Sequence, residues 1–226
     1  VVLDAGHGGH DPGARGNGLR EKEITLDVVK RLGKLIEART DIEVIYTRDT
    51  DVFVPLWERT KIANEAGGKV FLSIHVNANK NKKASGFETY LLRPGKTDAA
   101  VAVAEMENAV IKLEKNTDQY DKLSAEQLIL ATMAQSSFMQ QSETLADLTQ
   151  REFDKKLVGQ NRGVKQAGFI VLIGASMPNV LIELGFISNK NDARRLKQAS
   201  YRQKAAQGIF DALMKYKTRH EKLLSP

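Results

Sequence analysis

Four side chains suited to metal or acid-base chemistry stand in widely separated motifs of this sequence. They are His7 in LDAGHGGHDPGARG, Glu21 in the REKE just after it, His75 in FLSIHVNAN and Glu183 in VLIELGFISN. Two imidazoles and one carboxylate form the ligand set of catalytic zinc sites that keep a fourth position open. The sequence therefore predicts a zinc hydrolase in which His7, Glu21 and His75 bind the metal. Glu183 would be the second carboxylate, which takes a proton from the metal-bound water and passes it to the leaving group.

The strands expected around these residues would bring them to one edge of a sheet. In open α/β sheets, ligands gather outside the carboxyl ends of the strands. His7 comes two residues after the first expected strand, His75 ends the third, and Glu183 ends a late one. Glu21 would return to the same place through the loop from Gly6 to Gly18, whose glycines allow a tight fold of the backbone.

Each of these residues also has an ordinary structural interpretation. A single histidine at a strand end is more often structural than a ligand, and a single glutamate before a helix is usually a cap or a dipole partner. Glu183 is harder to explain in this way, because an unpaired carboxylate in an apolar strand is costly. His10 could replace His7 as a ligand, although its place further into the loop favours solvent or substrate. Together, the residues favour a site.

Composition limits the class of protein to which the chain can belong. With 226 residues, of which 42% are hydrophobic, the chain fits one domain with a substantial core. It has no cysteine, which excludes disulfides and thiolate metal ligands. Its apolar runs are far shorter than the roughly 20 residues of a membrane span. The net charge of +6 would suit polyanions, but aromatic residues are only 6%, so we expect no nucleic-acid partner.

Hydrophobic periodicity predicts an α/β domain with a largely parallel sheet, because strands and helices alternate over the first part of the chain. The expected strands run from Val1 to Ala5, Ile42 to Thr47, Val70 to Val76, Phe87 to Leu92, Phe169 to Ile173 and Val180 to Glu183. The expected helices run from Lys22 to Arg39, Pro55 to Ala66, Asp98 to Lys115, Ser124 to Val158 and Asn191 to Lys217, before a frayed tail from Thr218.

At these motifs the chain resembles the zinc-dependent N-acetylmuramoyl-L-alanine amidases, a family of cell-division amidases and wall-lytic enzymes. MPNVLIELGFISN and the preceding NRGVKQAGFIVL belong to the resemblance, which extends from Val1 to about Tyr216. It implies a single α/β domain with a mixed, mostly parallel sheet of about six strands flanked by helices. It also implies that His7, Glu21 and His75 bind zinc and that Glu183 is catalytic.

The implied reaction is hydrolysis of peptidoglycan by zinc-activated water, at the amide between N-acetylmuramic acid and the L-alanine of the stem peptide. Because this substrate lies outside the cytoplasmic membrane, we expect an exported, periplasmic enzyme, although the chain opens directly on a strand with no export signal before it. We expect it to act as a monomer in daughter-cell separation. The alternatives are a zinc peptidase acting within the stem peptide and a non-catalytic peptidoglycan-binding module.

The segment between FETYLL and NRGVKQAGF resembles the helical insertion of division amidases, and we place a regulatory insertion at about residues 97–141 of the domain. On the expected helix from Asp98, Glu107 lies in the middle of an apolar face. An open zinc position would be a strong partner for that carboxylate. We therefore expect Glu107 to occupy it and hold the enzyme inactive, with Glu114 as the other candidate. Alternatively, Glu107 is exposed, or it pairs with Lys115 or a distant arginine.

Activation would then require a partner that displaces this helix. The resemblance implies an activator protein that carries a degenerate metallopeptidase-like domain. The apolar stripe from Leu128 to Phe138 could receive it, although core packing is the commoner explanation of such a stripe.

Overall fold

The structure is a computed structural model that describes residues 1–117, 120 and 136–224. Its strands are β1 Val2–Ala5, β2 Arg15–Gly16, β3 Leu19–Arg20, β4 Ile45–Tyr46, β5 Phe71–Asn77, β6 Phe87–Leu92, β7 Asn161–Ala167 and β8 Asn179–Phe186. Its α-helices are α1 Glu21–Arg39, α2 Leu56–Glu65, α3 Asp98–Asn108, α4 Ser136–Lys156, α5 Lys190–Lys197 and α6 Ala199–Leu224. Two 3₁₀ turns are formed by Ala109–Leu113 and Ile170–Leu172.

Six strands form one sheet in the order β4-β1-β5-β8-β6-β7. Every neighbouring pair is parallel except β6 and β8, which are antiparallel. The small antiparallel pair of β2 and β3 lies in the loop before α1. The predicted fold, one α/β domain with a mixed and mostly parallel six-stranded sheet flanked by helices, is confirmed.

The two faces of the sheet differ in chemistry. Successive residues of a strand point to opposite faces, and one face packs apolar residues such as Leu72 and Ile182 against α1, α4 and α6. On the other face, Phe71 and Leu181 pack with residues of α2 and α3. None of the helices in the described part of the chain is both long and apolar enough to cross a membrane.

Polar side chains are buried on the face that α2 and α3 cover. His75 on β5 is in register with Glu183 on β8, and Glu183 is in register with Glu88 on β6. Deeper on this face, the fully buried Asp4 carboxylate bonds Arg59 Nη1 at 2.8 Å and also accepts from Thr47 and Ser73. The sheet therefore carries a row of ionisable groups across three neighbouring strands.

Two strand predictions were wrong. Phe169 to Ile173 is not a strand: it contains the second 3₁₀ turn, and its apolar side chains fill the core beneath α2 and α3. The strand is the preceding polar segment β7, which can be polar because it lies at the sheet edge. The expected strand from Ile42 to Thr47 is only the two residues of β4.

Helix boundaries also differ from the predictions. The helix expected to reach Lys115 ends at Asn108 and tightens into the first 3₁₀ turn. The last helix is split between α5 and α6, and α6 continues to Leu224 where we expected a frayed tail. The helix expected from Ser124 is described only as α4. Its first part, and most of the stripe from Leu128 to Phe138, lie outside the described residues.

Candidate metal centre and active site

Three of the predicted ligands are brought together by the ends of β1, α1 and β5. His7 follows β1 and adopts a left-handed backbone conformation with φ of 62°, which is uncommon outside glycine. Glu21 is the first residue of α1, and His75 lies near the end of β5. All three side chains are buried. The chain therefore turns directly after β1, and Gly8 and Asp11 form an isolated bridge in this turn.

Glu107 from α3 completes a cluster of four buried side chains. Nε2 of His7 lies 3.1 Å from Glu21 Oε2 and 3.0 Å from Glu107 Oε2. Nδ1 of His75 lies 3.1 Å from Glu21 Oε1 and 3.0 Å from the same Glu107 oxygen. Each residue thus offers one atom to a common point, and these atoms lie within 4.8 Å of one another.

The donor atoms of this cluster fit zinc. Ligands about 2.0–2.1 Å from a tetrahedral zinc are separated by about 3.4 Å, close to the separations seen here. His7 Nε2 and Glu107 Oε2 are buried and have no hydrogen-bond partner among the described residues. Imidazole nitrogen and carboxylate oxygen are also ligand types that zinc accepts. His7, Glu21, His75 and Glu107 are therefore the residues that could hold the metal.

Asp11 orients the His7 ring. Its Oδ2 lies 2.6 Å from Nδ1 of His7, and its Oδ1 accepts the Gly13 amide at 2.9 Å. An ionised carboxylate can only accept, so Nδ1 carries the ring proton and Nε2 is left free to bind a metal. Metal-binding histidines usually have such a partner. Sequence reasoning missed Asp11, and the available signal was a carboxylate four residues after His7 in the same loop.

Two glycines are required by the crowding around the cluster. A Cβ on Gly6 would lie 2.5 Å from the His75 ring, and a Cβ on Gly13 would lie 2.5 Å from the His7 ring and 2.7 Å from Glu21 Oε2. Gly13 also has a φ of 63°, which favours glycine. The loop therefore approaches the ligands more closely than a side chain would permit.

Opposite charges within the cluster shift the pKa values of its side chains. Burial alone lowers the pKa of His75, but the Glu107 and Glu21 carboxylates outweigh it and raise that pKa to about 9. The pKa of His7 is raised for the same reasons. Burial would raise the pKa of Glu21, but the two imidazoles hold it below its usual range. The carboxylates thus favour positive charge at the point where the four side chains converge.

Glu183 lies beside the cluster and is fully buried on β8. Neither of its carboxylate oxygens has a hydrogen-bond partner among the described residues. Burial raises its pKa well above the usual range, and the charges of Glu107, Glu21 and Glu88 raise it further. A carboxyl group held in this way is suited to accept and donate a proton. β8 continues to Phe186, so Glu183 lies within the strand and not at its end.

Glu107 lies on the apolar, buried face of α3 and contacts the cluster from there. Ala100 and Val103 are buried on this face, and Val110 is buried in the 3₁₀ turn that follows. Glu107 is 4% exposed, whereas Glu105 is exposed on the other side of the helix. The expectation of an exposed Glu107, or one paired with Lys115, does not describe this arrangement. Just after Glu107, the Asn108 side chain donates to Gly168 O at 2.8 Å and accepts the Ile170 amide at 2.9 Å.

Glu114 and His10, the alternative candidates, lie outside the cluster. Glu114 Oε1 accepts the Leu56 amide at the start of α2 at 2.9 Å, and the Tyr120 hydroxyl lies 2.9 Å from both Glu114 oxygens. His10 packs against the Phe53 ring, and its Nε2 lies 3.3 Å from the Leu113 carbonyl. His10 therefore contacts the segment that follows Glu107, and Glu114 links that segment to the start of α2.

Comparison with known proteins assigns the chain to a family. Residues 1–215 match the family described as N-acetylmuramoyl-L-alanine amidase. The chain is 36% identical over 216 residues to LytC of Bacillus subtilis, with 96% of this chain and 35% of LytC covered. It is 34% identical over 221 residues to AmiA of Escherichia coli, with 96% of this chain and 75% of AmiA covered. The chain thus spans about a third of the one relative and three quarters of the other.

A solved structure gives the same result at the level of the fold. The CwlD amidase from Clostridioides difficile, solved in complex with the GerS lipoprotein, superposes with a TM-score of 0.71 at 26% identity, and 96% of this chain and 97% of that chain are covered. The match of almost the whole chain to one family, together with this fold, agrees with the resemblance seen in the motifs. The chain belongs to the N-acetylmuramoyl-L-alanine amidase family.

Proposed function

We propose that this chain is a zinc-dependent N-acetylmuramoyl-L-alanine amidase that hydrolyses peptidoglycan between N-acetylmuramic acid and the L-alanine of the stem peptide. The observation that carries the proposal is the convergence of His7 Nε2, His75 Nδ1 and the Glu21 carboxylate beside a buried Glu183. Membership of the family supports the choice of bond. A zinc ion held by the first three residues would polarise the scissile carbonyl and acidify a bound water.

Asp11 and Glu183 have separate roles in the proposed reaction. Asp11 fixes the His7 ring, so that Nε2 faces the reacting centre. Glu183 receives the proton of the attacking water at its carboxylate and delivers it to the leaving nitrogen, because amide cleavage requires that this nitrogen depart as a neutral amine. Its apolar surroundings keep its pKa high enough for both steps. With Glu107 in place the site has the four ligands of a structural zinc site, so it is the buried Glu183 without a hydrogen-bond partner among the described residues that favours a catalytic one.

We further propose that Glu107 makes the described conformation autoinhibited. The catalytic ligand set leaves the fourth position for water or substrate, and Glu107 Oε2 lies 3.0 Å from both histidines at that position. Residues 97–141 would form the regulatory insertion. Asn108 and Glu114 support its closed position, because they bond the Ile170 loop and the start of α2.

Activation would require a protein that displaces this insertion. The candidate activator carries a degenerate metallopeptidase-like domain, and the CwlD structure in complex with GerS supports the idea that an amidase of this fold can bind a protein partner. The substrate's place in the cell envelope supports an exported, periplasmic enzyme. The resemblance of the insertion to that of division amidases supports a role in daughter-cell separation, and we expect the chain to act as a monomer.

Digestion of purified peptidoglycan tests the proposed activity. The zinc-loaded chain and its Glu107→Ala variant are incubated with sacculi, and the soluble products are identified by mass spectrometry. Intact stem peptides with a free L-alanine amine, together with peptide-free glycan, are expected. Cuts between amino acids of the stem would indicate a peptidase instead. Sedimentation with sacculi without any cleavage by the Glu107→Ala chain would indicate a binding module.

A further inference from the structure

Glu88 organises a second charged cluster in the same row as the candidate active site. Its Oε2 accepts Arg162 Nε at 2.8 Å and Lys165 Nζ at 2.5 Å. Its Oε1 accepts the Asn77 amide at 2.8 Å and the Tyr90 hydroxyl at 2.9 Å. Glu88 is 1% exposed, and all four of these bonds converge on it. The carboxylate is therefore fully satisfied, and it has no free acceptor for a ligand.

Unlike Glu88, the side chains of Arg162 and Lys165 use few of their hydrogen-bonding groups. Arg162 and Lys165 share one carboxylate, which leaves this cluster with a net positive charge. Within the described residues, the only hydrogen bonds of the two side chains are those to Glu88. A guanidinium has five donor hydrogens and an ammonium has three, so most of them are available. Each side chain is about a quarter exposed, at 25% and 24%.

Each of the two cations also lies near an aromatic ring. The Arg162 guanidinium lies 5.1 Å from the centre of the Phe186 ring, and the Lys165 ammonium lies 6.0 Å from the centre of the Tyr90 ring. Such contacts, combined with the Glu88 bonds, limit the rotamers of both side chains. The donors are therefore preorganised, which lowers the entropic cost of binding an anion.

The cluster lies on the side of Glu183 that faces away from the metal ligands. Glu183 stands between His75 and Glu88 in the register of the three strands. Neighbouring strands are about 4.8 Å apart, so the cations lie about 5 to 10 Å beyond Glu183. Two residues of extended chain span about 7 Å. A substrate whose scissile amide lies between His75 and Glu183 could thus place a group two residues away on these cations.

We propose that Arg162 and Lys165 bind a carboxylate of the stem peptide on the amine side of the scissile amide. This inference rests on the proposed function. A stem peptide whose second residue is a glutamate linked through its side-chain carboxyl carries a free α-carboxylate at that distance. Glu88 holds the cations in place and reduces their combined charge, which favours a monoanion. Arg162 and Lys165 would thus determine substrate specificity. They would favour a stem peptide with a free α-carboxylate on its second residue over one in which that carboxylate is amidated.

Peptide binding provides a test that does not depend on catalysis. Calorimetry with the zinc-loaded Glu107→Ala chain compares L-Ala-γ-D-Glu-L-Lys with the same peptide carrying an α-carboxamide. The acid is expected to bind about 10-fold or more tightly, because it gains charge-assisted hydrogen bonds. Arg162→Gln and Lys165→Gln should each reduce this preference, and the double variant should abolish it. Lys165→Arg should retain it, whereas a merely structural role in pairing with Glu88 would change the affinities for the acid and the amide alike.

Controls separate this inference from the proposed function. Arg151→Gln removes an exposed guanidinium that pairs with Asp147 on α4, and it should leave the preference unchanged. Equal affinity for acid and amide, or an unchanged preference in the folded double variant, would overturn the carboxylate site. The sacculus digestion is run on the same preparations. A preference for the acid without cleavage at L-alanine would contradict the amidase proposal alone, and cleavage without preference would contradict the carboxylate site alone.

Discussion

Glu107 Oε2 lies 3.0 Å from Nδ1 of His75, although the two residues come from different layers of the fold. His75 is fixed by the central strand β5, whereas Glu107 is carried by α3 on the surface of that layer. A strand in the middle of a sheet and a helix held by side-chain contacts differ in how readily they move. The contact therefore joins a rigid part of the proposed metal centre to a part that a partner could displace.

The metal-ligand assignment predicts selective loss of zinc. His75→Ala should fold but lose most of its zinc, because the remaining donors cannot complete the site. His10→Ala is the matched control: it removes an imidazole three residues from His7 that contacts Phe53 and lies outside the cluster. Metal content after dialysis is measured by mass spectrometry, and folding by circular dichroism. Equal zinc in both variants would exclude His75 as a ligand.

The contact between Asp11 and His7 predicts an effect on affinity without a loss of fold. Asp11→Asn weakens the acceptor that fixes the imidazole tautomer, and zinc affinity should fall by about 10- to 100-fold. Competition with a fluorescent chelator measures this change. Asp51→Asn provides a control, because Asp51 is an exposed carboxylate that accepts the Gly9 amide in the same region. A similar affinity for both variants would show that Asp11 does not orient the ligand.

Glu183 should affect catalysis and not metal binding. Glu183→Gln keeps the size of the side chain but removes its proton transfer, so kcat should fall by about 100- to 10,000-fold. Zinc content should be retained. Because the Glu183 carboxyl has no hydrogen-bond partner in the described part of the chain, the thermal midpoint should not fall. Activity close to that of the parent, measured in the Glu107→Ala background, would assign proton transfer to another group.

The buried pair of Asp4 and Arg59 predicts acid sensitivity of the fold. Burial raises the pKa of Asp4, but Arg59, Ser73 and Thr47 outweigh it and hold that pKa below the ordinary 3.8. The pair therefore contributes stability above pH 3.8, and this contribution is lost as the pH falls through the lowered pKa. Asp4→Asn should cost about 3 to 5 kcal/mol, because it leaves the Arg59 charge unpaired. Urea unfolding at pH 7 and near pH 3 measures both effects, and a pH-independent difference between the variant and the parent would contradict them.

The sequence predicted that the proposed ligands would lie close together because strand topology brings distant residues together in a regular way. His7 follows β1 and His75 lies near the end of β5, and neighbouring parallel strands place those ends side by side. Glu107 was identified because helical periodicity places it on an apolar face, where the structure also buries it. These inferences needed only the spacing at which apolar residues repeat along a helix or a strand.

Features that depend on loop geometry or on competition for the core were not predictable in this way. Asp11 contacts His7 in a loop where His7 adopts a left-handed conformation, and no pattern in the loop specifies that conformation. The apolar run from Phe169 to Ile173 has the composition of a strand, yet it packs as a 3₁₀ turn under α2 and α3. The polar β7 becomes a strand because its edge position leaves one side of it to solvent.

The central claim is that Glu107 occupies the open position of the metal centre, and one rate comparison tests it most directly. Peptidoglycan hydrolysis is measured for the zinc-loaded parent, Glu107→Ala and Glu105→Ala, which removes an exposed carboxylate from the same helix. If fewer than about a tenth of parent molecules are open, Glu107→Ala should be about 10-fold faster or more. Glu105→Ala should match the parent. A folded, zinc-loaded Glu107→Ala chain that hydrolyses at the parental rate would contradict the claim.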